Sequence, residues 1–149
     1  MYPQAKTLGL VLKEGCILLE EQNGPHSKGE GDYYRPIGRT IELGETSAET
    51  LMREFKEELN VEVIIEQYVT CLENIFSIHT NIGHEIIQIY LVKLNDPTLY
   101  KKERFDIKEG NKMTYAKWVP IVEVEAGQKV LFPNGLPELL QEKFLETNK

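Results

Sequence analysis

Apolar and polar positions along this chain alternate mostly with a period of two, and give way to a helical period in two places. Thr7 to Leu12 and Cys16 to Glu20 read as two short strands around Lys13-Glu14-Gly15, a tight hairpin by composition. From Gln22 to Asp32 the sequence turns polar and glycine-rich, which predicts a mobile loop. Tyr33 to Gly38 follows, where alternation sends one tyrosine to the core and the other to the opposite face. The first helical segment has an apolar arc of Ala48, Leu51, Met52, Phe55 and Leu59. Thr46, three residues before Glu49, forms a capping-box signal at its start, and Asn60 suits a left-handed residue at its end.

Val61 to Ile78 and His84 to Leu94 are long β-rich runs around a turn at His79 to Gly83. Asn95 to Lys112 holds no sustained period and is expected to be a long surface loop. Thr114 to Val119 is a further strand with Trp118 partly buried. After the Pro133 to Pro137 break comes a last helix with a stripe of Leu136, Leu139, Leu140 and Phe144. Strands on both sides of one strong helix, closed by a terminal helix, predict a layered α/β or α+β domain.

The composition narrows the class. At 149 residues, 41% hydrophobic and 28% charged, the chain fits one domain spanning residues 1–149, without repeats or linkers. No apolar run approaches the roughly 18–20 residues that span a bilayer, and the first residues lack a secretion signal. A net charge of −7 argues against a nucleic-acid polymer as partner, though not against a small anion carried with a cation. Cys16 and Cys71 lie in apolar strand-like runs, which predicts reduced core residues in a cytoplasmic protein.

The first helix also carries the chemistry. Glu54, Glu57 and Glu58 stand at i, i+3 and i+4, so they project from one face within a single turn. Like charges so placed cost roughly 0.2–0.5 kcal/mol per pair, a sign that a divalent cation would reverse. Carboxylate oxygens suit a hard ion such as magnesium, which also binds phosphates. A solvated acidic face with Arg53 and Lys56 as neighbours is the plainer alternative. Arg53 reaches Glu57 at i+4 and is placed to pair with Glu45 in the preceding Gly-Glu turn, a structural role. Tyr34 and Arg35, entering the same region, offer a ring to stack on a base and a cation to hold an anion. Cross-strand packing is the plainer role for each tyrosine. His26 and Lys28 are further anion contacts or simply solvated.

Arg39 to Val61 as a whole closely resembles the Nudix box, the signature of MutT-like Nudix hydrolases. Glu45, Arg53-Glu54, Phe55, Glu57-Glu58 and Val61 all fall on signature positions, while Arg39 and Asn60 replace its two glycines. The resemblance implies an α/β/α sandwich around a mixed β-sheet. It further implies magnesium-dependent hydrolysis, with manganese as a substitute, of a nucleoside diphosphate linked to another group X. Glu54, Glu57 and Glu58 are then metal ligands and catalytic groups, with Glu54 or Glu58 as base for water, and Arg53 and Glu45 complete the catalytic set. Family members recruit one more acidic ligand from outside the box, for which Glu85 is the first candidate and Glu73 the second. In the family the first glycine brings a backbone carbonyl to the metal. At Arg39 a guanidinium either meets a substrate phosphate or faces solvent. Nucleoside triphosphates, nucleotide sugars and ADP-ribose all remain open as substrates. A catalytically silent nucleotide sensor is the alternative function, and exposed β-edges leave room for a homodimer.

Overall fold

In the computed structural model, which describes residues 2–125 and 129–145, the alternating runs become nine strands in two sheets. β1 (Gln4–Leu10) pairs in parallel with β7 (Asn81–Leu94) and antiparallel with β5 (Ile37–Thr40). β6 (Val63–Ile78) adds antiparallel to β7, giving the order β5-β1-β7-β6. The second sheet centres on β3 (Cys16–His26), which pairs with β2 (Leu12–Lys13), β4 (Gly29–Arg35) and β9 (Lys112–Pro120), and β8 (Arg104–Glu109) pairs with β9.

Strand alternation splits the apolar side chains into two cores. Leu8 and Leu10 of β1, Ile17 and Leu19 of β3, and Ile87 and Ile89 of β7 face one side. There they pack on α2 (Ile121–Glu125) and α3 (Leu136–Leu140). Val11, Leu18, Ile37 and Val92 face the other side and pack on α1 (Ser47–Glu54), which runs on through a wide turn from Phe55 to Leu59. The expected sandwich around mixed strands is therefore present. Leu51 and Phe55 are fully buried, each contributing roughly 1.5–3 kcal/mol. Gly9 lets α1 come so close: a Cβ there would lie 3.0 Å from both Phe55 and Val92. Gly38 has a harder constraint, since its Cβ would meet the Thr7 carbonyl across the β1–β5 pair.

Several expectations need correction. Gln22 to Asp32 is not a loop but the continuation of β3 and most of β4, a ladder from Glu20↔Arg35 to His26↔Gly29. Its glycines sit in ladder positions at positive φ, Gly24 opposite Gly31 and Gly29 opposite His26, which composition alone reads as breaks. Likewise Asn95 to Lys112 holds a 3-10 turn, Pro97–Lys101, and β8, whose Phe105 and Ile107 are buried. Only two apolar residues mark that short strand, so the period is easily missed. Neither cysteine is in the core: Cys16, at the start of β3, is half-buried, and Cys71, on the edge strand β6, is exposed. Met52 is also exposed, and Thr50 takes the buried place in its turn. Among the described residues no helix is long and apolar enough to cross a membrane.

Candidate active site

Thr46 starts α1 as its sequence predicts, accepting from the Glu49 backbone N–H at 3.2 Å while the Glu49 carboxylate accepts from the Thr46 N–H at 2.9 Å. Asn60 ends the helical segment in the left-handed region, with φ 57° and ψ 42°. Between them the helix widens over Phe55–Leu59, the segment that carries Glu57 and Glu58. Such wide turns shift the angular position of the residues beyond them and recur at functional sites. Glu58 is thereby buried against the sheet, whereas Glu57 stays exposed.

Arg53 makes both contacts that its spacing implies. Its Nε lies 3.1 and 3.2 Å from the Glu45 carboxylate oxygens, and its Nη1 reaches Glu57 at 2.9 Å and Glu54 at 3.2 Å. Thr50 donates to Glu45 as well, at 2.8 Å. These bonds from Arg53 and Thr50 hold the Glu45 carboxyl below its ordinary range. The Gly-Glu turn is thus tied to the helix by a fork of charged hydrogen bonds.

Arg39 neither faces solvent nor stands apart. Its side chain is 15% exposed and its nitrogens lie 3.2 Å from Glu20, 2.7 Å from Glu58 and 3.1 Å from Glu109. Glu20 is a site residue that the sequence reading missed. It is fully buried on β3, where it also accepts from Gln22 and lies 3.6 Å from Arg35. Ile17, Leu18 and Leu19 are all buried, so alternation along the sequence does not say which face Glu20 takes; in the fold it shares the α1 side with Leu18.

Glu58 is the least satisfied of these carboxylates. The approach of Arg39 is close but off the hydrogen-bond direction, and both Glu58 oxygens are buried with no hydrogen-bond donor. Burial, with the like charges of Glu54 and Glu20, pushes its carboxyl up against the pull of Arg39. A buried carboxylate held by an ion pair, without an aligned hydrogen bond, fits a hard cation. Among the described residues no three His, Cys, Asp or Glu side chains form a ready-made cage, as Arg39 and Arg53 already engage the carboxylates. Magnesium does not require such a cage, because it keeps several waters and takes one or two carboxylates.

Next to this acidic corner lies a cavity of about 200 Å³ whose apolar wall includes Leu8, Phe76, Ile87 and Phe132. Lys6, Arg35, Arg39 and Glu85 supply its charge. His26, Tyr33 and Phe132 form a ring cluster with centroids 5.4–5.8 Å apart. His26 therefore joins an aromatic wall rather than a solvated loop. The tyrosines divide as alternation predicts, but in the unexpected sense for binding. Tyr34 lies in the core with its hydroxyl donating to Glu21 at 2.7 Å, and Tyr33 takes the cavity wall. Arg35 lines the cavity with its Nε buried and unpartnered. Glu85 shares the face of Ile87 and Ile89, opposite α1. Its partners are Lys6 at 3.7 Å and Asn74 at 3.2 Å, not the carboxylates of the box. Strand parity separates it from them.

The NUDIX domain model matches residues 3–141. No curated protein matches the chain. Among solved structures, a NUDIX hydrolase from Nitrosomonas europaea superposes with a TM-score of 0.68 at 17% identity, over 95% of this chain and 88% of the other. The MutT protein from Methanosarcina mazei Go1 gives 0.66 at 17% identity, over 99% and 97%. An ADP-ribose pyrophosphatase from Streptococcus suis gives 0.60 at 14% identity, over 95% and 91%. At these identities the likeness is one of fold.

Proposed function

The chain belongs to the NUDIX domain family, whose model spans residues 3–141, and from that premise we propose that it is a divalent-cation-dependent pyrophosphohydrolase acting on a nucleoside diphosphate linked to another group. The match supports reading the chain as one such domain. The observation that carries the activity is the state of Glu58: buried, without a hydrogen-bond donor, and beside the Arg53 fork that fixes Glu45, Glu54 and Glu57.

Of Glu54, Glu57 and Glu58, one or two would hold the ion directly and the rest through its waters, magnesium first and manganese as substitute. The bound ion would neutralise the diphosphate, polarise a phosphoryl oxygen and lower the pKa of a water. The protein supplies alignment and fixed charge. Arg53 keeps the carboxylates from relaxing toward solvent, so little reorganisation accompanies the reaction. A carboxylate of this group, Glu54 or Glu58, accepts the proton of the attacking water as its oxygen bonds to phosphorus and the bridging P–O bond breaks. Arg35 offers an unclaimed buried N–H at the cavity for a phosphate oxygen. Tyr33, His26 and Phe132 suit one face of a nucleobase, and about 200 Å³ is room for a base rather than a whole nucleotide.

Glu57→Gln and Glu58→Gln should each lower magnesium-dependent turnover by on the order of 10²–10³-fold, the scale of losing one preorganised electrostatic group. Circular dichroism should stay that of the parent. A product-resolved screen of nucleoside triphosphates, nucleotide sugars and ADP-ribose, with magnesium and then manganese, identifies the leaving group. Full activity in both variants removes the assignment. One observation favours a nucleotide-binding sensor instead, the Arg39 guanidinium set against Glu58. Tight nucleotide binding without release of product in the same screen would select that reading.

A further inference from the structure

Three carboxylates and one peptide carbonyl surround a single guanidinium in this fold. Arg39 Nη1 lies 3.2 Å from Glu20 and donates to the Gly38 carbonyl, while Nη2 lies 2.7 Å from Glu58 and 3.1 Å from Glu109. Glu20 comes from β3, Glu58 from the wide turn after α1, and Glu109 from the end of β8. Three elements distant in sequence thus converge on one positive charge. Glu109 is 45% exposed, but little water reaches the other two contacts, since the Glu20 and Glu58 side chains are 0% and 7% exposed. Buried charges are screened weakly, so these attractions act at close to full local strength.

The acceptors around Arg39 are the kind a hard divalent ion takes, carboxylate oxygens and a backbone carbonyl. Guanidinium and metal ion therefore seek the same oxygens. The Glu58 contact with Arg39 is an ion pair at 2.7 Å rather than an aligned hydrogen bond. That leaves the Glu58 end of the arrangement exchangeable, whereas Glu20 accepts hydrogen bonds from Arg39 at 3.2 and 3.5 Å. We infer that Arg39 is a built-in counter-cation of the acidic site, holding Glu20, Glu58 and Glu109 together in the free protein, so that a divalent cation reaches Glu58 only in competition with its guanidinium. The identity of the ion rests on the hydrolase reading; the competition rests on the four contacts.

The test is binding of manganese ion alone, read from the loss of its free electron-paramagnetic-resonance signal, on the full chain and on Arg39→Gln and Arg39→Lys. A single charge removed within about 4 Å of a cation is worth at least about 1 kcal/mol even at the dielectric of water. Arg39→Gln should accordingly bind manganese at least about fivefold more tightly than the parent. Its melting temperature should be lower without metal and rise more steeply as manganese is added. Arg39→Lys keeps the charge but cannot span four acceptors, so its affinity should fall between the two. If Arg39→Gln does not fold, tighter manganese binding by Arg39→Lys carries the inference alone. Equal or weaker affinity in the folded variants overturns it and leaves the hydrolase reading intact. No manganese binding by parent or variants sinks both.

Discussion

Arg53 joins the Gly-Glu turn to the helix through Glu45, Glu54 and Glu57, three carboxylates that would otherwise repel one another. It is half-exposed, so the whole fork is worth less than a buried one. Arg53→Ala should therefore melt lower by about 2–6 °C for a chain of this size and lose turnover as well. Differential scanning calorimetry decides it, and a parental melting temperature would refute the structural role. Arg39 shows the limit of reading single residues. Its chemistry was plain from the sequence, but its three acidic partners lie 19 residues away in each direction and 70 residues onward. Glu20 and Glu109 belong to no local pattern that includes it. Only the packing of β3, β5, β8 and the wide turn creates that contact set.

At the scale of elements, α1 illustrates how far local rules reach. Its cap, its end at Asn60 and its buried Leu51, Phe55 and Leu59 all follow from local chemistry and period. The widening at Phe55–Leu59 does not, because an ordinary helix and a widened one share the same composition. What holds the helix against β1 is the absence of a side chain at Gly9. Gly9→Val would place branched methyls where Phe55 and Val92 already sit 3.0 Å from a bare Cβ. The expected loss is about 1–3 kcal/mol, the usual cost of overpacking, read as a lower urea midpoint with an unchanged slope. Because α1 carries the carboxylates, activity should fall along with stability.

Across the whole molecule, Glu21 ties three strands together. Burial acts to raise its carboxyl, but hydrogen bonds from Tyr115, Tyr34 and Lys117 outweigh that and hold it low. Tyr34 lies on β4, and Tyr115 and Lys117 on β9. A carboxyl whose folded value lies below its unfolded value stabilises fully above the unfolded value, about 4.5, and loses that stabilisation as pH falls through the folded one. Glu21→Gln should flatten the acid limb of a stability–pH curve below about pH 5, with the neutral region lowered. An acid limb as steep as the parent's would exclude Glu21 as its source.

The sequence alone determined what depends on near neighbours and on period. That includes the capped helix, the Arg53 fork and most strands, while the two-sided sandwich came from the resemblance that the box carries. The tertiary structure decided what depends on which strands meet. It turned the glycine-rich Gln22 to Asp32 stretch into a ladder, because pairing partners outweigh weak propensity. It sent Glu85 to the face away from α1 and brought Glu20 to Arg39, since strand parity fixes a side but only sheet packing fixes a partner.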